Sequence, residues 1–388
     1  MGLILKLLIS RGNHYRFIID DRLTDDEKWR KYEKNIAVLL STFLVAGLAA
    51  CGDASATTTE TETKSEIGSN STAKSDSEKK TEEDTPETVT ITSLNANKEE
   101  IELEVPYNPE RIAILDLAAL DIIDNLGEGD RVVGMANTSI DYLSSYSDNN
   151  DIEKLGTIKE ADFEAVMACE PDVIFIGGRL SSSYDALSEI APVVFLATDS
   201  EIGLVKSVDK NATTVASMFG KEEEVAAKTG DFQKRIAALS ETAEGKTALV
   251  GMTTSGSFNL LGNNGRCSII GTEIGFDNLT ADSEAGGAQE NRGKDGNSNA
   301  GAAHGNEASF ELVSEQNPDY IFILDRDSAI GTEGAQLAKD IMENELVMGT
   351  EAYKNGHLIY LEHPAVWYTA EGGITALDTM LSDLESDI

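Results

Sequence analysis

The chain has 388 residues, 40% hydrophobic and 26% charged, enough for two ordinary domains around a sizeable core. Its formal net charge of −38 excludes nucleic acid as a partner, because neutralising phosphates takes a basic surface. An anionic ligand must therefore be held by a local cluster of positive charge.

The three cysteines, Cys51, Cys169 and Cys267, are too few and too scattered for a disulfide framework. Cys51 follows the apolar run "NIAVLLSTFLVAGLAA", itself preceded by Lys28, Arg30, Lys31 and Lys34. Basic residues, a short apolar stretch and small residues in that order predict a secretory signal over residues 1–50. The run is shorter than the ~20 residues that span a bilayer. The first ~30 residues fit neither a signal nor a domain, as a start codon placed too far upstream would give. "LAAC", Leu48 to Cys51, resembles a bacterial lipobox, which implies diacylation of Cys51. Residues 51–87 contain almost no apolar side chains and read as a flexible acidic tether. An anchor with a tether suits a surface receptor better than a diffusing enzyme.

"TVTITSLN" (88–95) and "IELEV" (101–105) alternate like the strands of a hairpin. "RIAILD" (111–116) reads as a buried strand, followed by a helix over "LAALDIIDNLG" and a strand over "RVVGMA" (131–136). Helix and strand go on alternating through "VVFLA", the pattern of a mostly parallel α/β sheet. Two helical stretches follow, 202–220 and 221–245, the second long and charged on its outer face. The alternation then restarts with strands over "TALVGMTT", "SFNLLG", "PDYIFIL" and "HLIYLE" and a last helix over "GGITALDTMLSDLE". The expected architecture is α/β, with an N-terminal lobe over 88–220, a connecting helix over 221–245 and a C-terminal lobe over 246–388.

One unit is written twice. Nine of the sixteen positions of "ADFEAVMACEPDVIFI" (161–176) are identical in "ASFELVSEQNPDYIFI" (308–323), and both reach an arginine three residues later. Asp162 and Ser309 are good N-caps, and Glu164 and Glu311 fall in the first turn, where a carboxylate suits the helix dipole. Arg179 and Arg326 come just past the carboxyl ends of their strands, where open α/β sheets bind ligands. If the lobes face each other, the two guanidiniums converge. The two glutamates then sit at the opposite, outer ends, one per lobe.

Together with "NPERIAILDLAALDIIDNLGEGDRVVG", "PDVIFIGGR", "GRCSIIGTEIGF", "HGNEASFELVSEQNPDYIFILDR" and "WYTAEGGI", residues 88–388 resemble the substrate-binding lipoproteins of iron-siderophore ABC importers. The resemblance is to the bilobal class with a rigid connecting helix, and within it to catecholate-type binders such as those of petrobactin. It implies two Rossmann-like lobes of the class III periplasmic-binding-protein fold and no enzyme activity. It implies that Arg179, Arg266 and Arg326 line the cleft, and that His304 and Tyr368 complete the iron's coordination where the siderophore leaves sites open. It implies that Glu164 and Glu311 dock onto the ABC permease. The ligand is then an Fe(III)-siderophore complex, with no intrinsic cofactor, and the protein a monomer held to the outer face of a Gram-positive membrane by its lipid. The stretch 285–304 is longer and richer in Gly and Asn than the family's usual segment.

A ferric tris-catecholate carries about three negative charges, which three forked guanidiniums balance. Trp367 either stacks on the ligand or packs in the core. His357 reads as structural, His363 as a loop residue near Tyr368 with cleft lining the lesser alternative, and Cys169 and Cys267 as buried thiols. Bare-metal capture would need a tighter His/Asp/Glu cluster. Haem or cobalamin binding by the same fold, or a surface metal-dependent hydrolase, are the alternatives; G-x-S-x-G, H-E-x-x-H and P-loop signatures are missing from the sequence.

Overall fold

The computed structural model describes residues 3–8, 16–21, 86–281, 306–307 and 310–388. The chain separates into two units, Met1–Lys80 and Thr81–Ile388. In the first, β1 (Leu3–Leu8) pairs antiparallel with β2 (Arg16–Asp21). The run before Cys51, Cys51 itself, nearly all of the tether, Ser309 and the 285–304 stretch with His304 lie outside the described residues. Among the described residues no helix is long and apolar enough to cross a membrane.

In the second unit, β3 (Thr88–Leu94) and β4 (Glu100–Pro106) form the expected antiparallel hairpin. The alternation then runs β5 (Ile112–Ile114), α1 (Leu117–Asn125), β6 (Val132–Met135) and β7 (Glu153–Lys154). A small antiparallel pair, β8 (Gly156–Thr157) and β9 (Glu160–Ala161), precedes α2 (Phe163–Ala168), β10 (Val173–Ile176), α3 (Tyr184–Ser188) and β11 (Val193–Phe195). These strands make an all-parallel sheet ordered β11-β10-β5-β6-β7.

The connection between the halves begins with α4 (Leu204–Ser217). The stretch 221–245, expected as one helix, is α5 (Glu222–Thr229) followed by α6 (Phe232–Ala243). Gly230 and Asp231 between them keep right-handed helical dihedrals, so the chain kinks without reversing. The helical period is continuous across this point, so the spacing of apolar residues did not reveal the break.

The second half contains β12 (Thr247–Thr254), β13 (Ser257–Leu260), β14 (Asp277–Asn278), β15 (Asn306–Glu307), α7 (Phe310–Gln316), β16 (Tyr320–Asp325) and α8 (Arg326–Ala329). It ends with β17 (Leu358–Tyr360), α9 (Pro364–Thr369) and α10 (Ile374–Asp387). The sheet order is β15-β13-β12-β16-β17, with β14 also on β12, and β12, β14, β16 and β17 run parallel.

Successive side chains of a strand point to opposite faces, and the core follows that rule twice. Ile112, Ile114, Val173 and Phe175 of the first sheet meet Ala248, Val250, Tyr320 and Phe322 of the second in one shared hydrophobic cluster. Ala113, Ile174 and Ile176 face a separate cluster on the far side of the first sheet. Leu249, Ile321 and Ile323 do the same in the second. Both sheets are therefore covered on both faces, which is why their strands read as unbroken apolar runs.

The written repeat is also a structural repeat. Asp162 caps α2 by accepting from Ala165 N at 3.1 Å. Val166 and Val313 are each 0% exposed and anchor α2 and α7 to the outer clusters. Glu170 (φ 44°) and Asn317 (φ 42°) stop the two helices in the left-handed region at the same offset. Asp172 Oδ2 then accepts from Arg111 N at 2.9 Å, and Asp319 Oδ2 from Thr247 N at 2.9 Å. Each aspartate thus ties the repeat's strand to the start of the adjacent central strand.

Candidate functional site

Both sheets release their arginines at the carboxyl ends of equivalent parallel strands, β10 and β16. Arg179 lies on the turn Gly178–Ser183 after β10, and Arg326 opens α8 directly after β16, with Asp325 as N-cap. Arg266 lies between β13 and the π-turn Ile270–Ile274. All three guanidiniums gather on the ring of Tyr368: Arg266 at 4.4 Å from its centroid, Arg179 at 5.5 Å and Arg326 at 5.9 Å. Arg179 Nη2 also donates to the Tyr368 carbonyl at 2.8 Å, joining the first half to the second.

Tyr368 is 3% exposed and sits on α9. Burial pushes its hydroxyl up, but the hydrogen bond from Arg326 and the charges of Arg266, Lys159 and Arg326 outweigh burial and hold it below the ordinary tyrosine value. Arg326 Nη1 donates to Asp327 Oδ1 at 2.9 Å, while its buried Nε has no hydrogen-bond partner among the described residues. Burial, and the like charge of Arg266, lower the affinity of Arg179 for its proton.

Two cavities open on either side of Tyr368. One, of about 390 Å³, is walled by Asn137, Thr138 and Lys159 from the first half and by Ala329, Ile330 and Tyr368 from the second. The other, of about 230 Å³, holds Arg179 and Arg266 together with Asp116 and Glu371. Burial pushes the Glu371 carboxyl up to about 7 against the opposing pull of Arg266 and Arg179. Burial likewise raises Asp116, against its hydrogen bond from Ala119 N–H and the charge of Arg179.

Of the residues singled out in the sequence, Arg179, Arg266, Arg326 and Tyr368 come together. Trp367 does not join them: it is 0% exposed and its Nε1 donates to Asp383 Oδ2 at 2.8 Å, so of the two readings the core one is correct. Neighbours on a helix point about 100° apart, so Tyr368 in the site turns Trp367 inward. Glu164 and Glu311 are exposed on α2 and α7. His363 lines neither cavity; its Nδ1 pairs with Asp383 Oδ1 at 2.7 Å. His357 stacks on Tyr320 with ring centroids 4.1 Å apart, a structural role. Lys159, Asp116 and Glu371 were missed. Lys159 lies on the β8–β9 turn, where a lone lysine carries no signal, and the two acids are known as site residues only from the cavity they line.

A profile of the family described as periplasmic binding protein matches residues 112–365. The chain belongs to the periplasmic binding protein family. It is 32% identical over 288 residues to the petrobactin-binding protein YclQ of Bacillus subtilis, covering 74% of this chain and 84% of that protein. The crystal structure of YclQ superposes with a TM-score of 0.68 at 30% identity, over 78% of this chain and 99% of that one. The catecholate-siderophore-binding protein VctP of Vibrio cholerae gives a TM-score of 0.64 at 28% identity, over 77% of this chain and 100% of that one. As a periplasmic binding protein this chain has the expected class III architecture, two Rossmann-like α/β halves with their strand ends facing one site.

Proposed function

We propose that this binding protein captures a ferric siderophore of the catecholate type and hands it to an ABC permease. The observation that carries the reading is the convergence of Arg179, Arg266 and Arg326, drawn from both halves, on the ring of Tyr368. On a chain of net charge −38, this is a local cation cluster of the kind an anionic complex requires. Each arginine offers planar forked donors to catecholate oxygens. Tyr368, with its lowered hydroxyl, is the protein's own oxygen ligand for a hard Fe(III) left with open positions, and His304 is its partner in that role. The names of YclQ and VctP support both the cargo and its class.

Delivery uses the far ends of the repeated units. Glu164 and Glu311, one per half and both exposed, are the docking carboxylates for basic residues of the permease. Cys51 carries the lipid, and the protein acts at the outer face of the membrane. The protein is a receptor, and its affinity for the cargo is its whole chemistry.

Replacing each arginine by alanine tests the site. Arg179→Ala, Arg266→Ala and Arg326→Ala should each weaken binding of a ferric catecholate about tenfold or more, the cost of a lost charge-assisted contact. Three folded variants with unchanged affinity would place the ligand elsewhere. Glu164→Ala combined with Glu311→Ala should stop uptake into cells and leave binding intact.

A further inference from the structure

The helix α10 has no side-chain cap of its own: its N-cap is Gly373. A helix start leaves N–H groups unsatisfied, and burying them unpaired is costly. Here the acceptor comes from the other half of the molecule. Asp121, on α1 and 0% exposed, accepts from Thr375 N at 2.9 Å through Oδ1 and from Ala376 N at 2.8 Å through Oδ2. The same oxygens accept from Asn125 Nδ2 at 2.7 Å and from the Tyr142 hydroxyl at 2.9 Å. Asn125 Nδ2 also reaches Thr375 Oγ1 at 2.8 Å. The carboxylate is thus held from four sides.

Gly373 belongs to the same arrangement. Its φ of −83° suits any residue, yet a Cβ there would stand 2.3 Å from Asp121 Oδ2. The glycine is required by the close approach of Asp121 and not by its own backbone. Next to it, Gly372 has a φ of 117°, and a Cβ there would meet Thr198 at 3.2 Å.

The turn between α9 and α10 is therefore pinned twice by the first half. Arg179 holds its beginning at the Tyr368 carbonyl, and Asp121 holds its end at Thr375 and Ala376. Between the pins lie Tyr368, which bears the phenol of the site, and Glu371, which lines the arginine cavity. We infer that Asp121 is a positioning residue for the ligand site, fixing the Tyr368–Gly373 turn of one half against the arginine of the other through the N-terminus of α10. The inference rests on the reading of this site as the siderophore site. Asp121 touches no ligand itself, and a small error in the turn moves Tyr368 relative to all three guanidiniums.

The test is a double-mutant cycle between Asp121 and Gly373 on the full-length protein. Asp121→Asn places an amide donor against an N–H and should weaken ferric-catecholate binding about tenfold or more, the usual effect of disturbing an outer support. Gly373→Ala should do the same by displacing the carboxylate. In an Asp121→Gly background, which removes the carboxylate together with the Cβ that would stand 2.8 Å from the new methyl group, Gly373→Ala should add little. Thermal unfolding reports whether each variant is folded; if Asp121→Asn is not, the milder Tyr142→Phe, which removes one hydrogen bond to Asp121 Oδ2, should weaken binding in the same direction, and wild-type affinity there would overturn the inference. Additive losses, or wild-type affinity in folded Asp121→Asn, would overturn the inference. If the wild type binds no ferric complex, the siderophore reading fails separately. The inference is then read in ligand-free protein from amide hydrogen exchange along the Tyr368–Gly373 turn. Asp121→Asn should speed exchange along that turn, and unchanged exchange would overturn it.

Discussion

Tyr368 is buried to 3% exposure, yet its hydroxyl is lowered by Arg326, Arg266 and Lys159. For a ferric complex with open coordination sites, Tyr368→Phe should abolish the visible phenolate-to-iron charge-transfer band. An unchanged visible spectrum would remove Tyr368 from the iron's ligands. Glu371 supplies a second residue-scale prediction. Its folded value of about 7 lies above the ~4.3 of an unfolded glutamate, so between these values the folded state holds the extra proton. Its contribution to stability is present below the unfolded value and is lost as pH rises through about 7. Glu371→Gln, which keeps a neutral side chain, should therefore gain on the wild type as pH rises from ~5 to ~8. Urea midpoints at the two pH values check this, and a constant gap between the proteins would contradict it. Of these groups only Arg179 and Arg326 stand out in the sequence on their own, because the repeat gives them matched offsets. Arg266 and Tyr368 have no local signature and were legible only through resemblance. Glu371 and Asp116 needed the fold, since what makes them unusual is burial beside guanidiniums contributed from far along the chain.

At the scale of elements, the repeat was legible because its physics is local: a cap, a helix of two turns, a proline and an apolar strand. What the sequence hid was that the two copies solve the same strain differently. Glu170 and Asn317 both occupy the left-handed region, where asparagine is tolerated and glutamate is not. Glu170→Gly should accordingly stabilise the protein by up to about 1 kcal/mol in urea unfolding. Asn317 is further used, since its Oδ1 accepts from Glu351 N at 2.8 Å. Asn317→Ala should cost about 1 kcal/mol or more, and equal effects at the two positions would show that the conformation is not shared. The break at Gly230–Asp231 was not legible, because the apolar positions Val225, Phe232, Ile236 and Leu239 keep helical spacing across it. The inward turn of Trp367 was not legible either: the spacing does not predict the helix Pro364–Thr369, and without it the diverging directions of residues 367 and 368 have no basis.

At the scale of the molecule, the two halves share one hydrophobic cluster and exchange polar contacts at helix ends. Asp121 of the first half caps α10, and Glu273 of the second accepts from Leu204 N at 2.8 Å and Val205 N at 3.2 Å at the start of α4. The three-arginine cluster therefore lies between halves already joined through a shared core. An excess of acid over the chain as a whole repels anions, and the three-arginine cluster reverses that locally. The most direct test is a tryptophan-fluorescence titration with ferric catecholates, ferric hydroxamates, haem and cobalamin in parallel. Quenching by a ferric catecholate at micromolar concentration or below, with weaker or no response to the others, is the predicted result. No quenching by any ferric catecholate, or preferential quenching by haem or cobalamin, would contradict it.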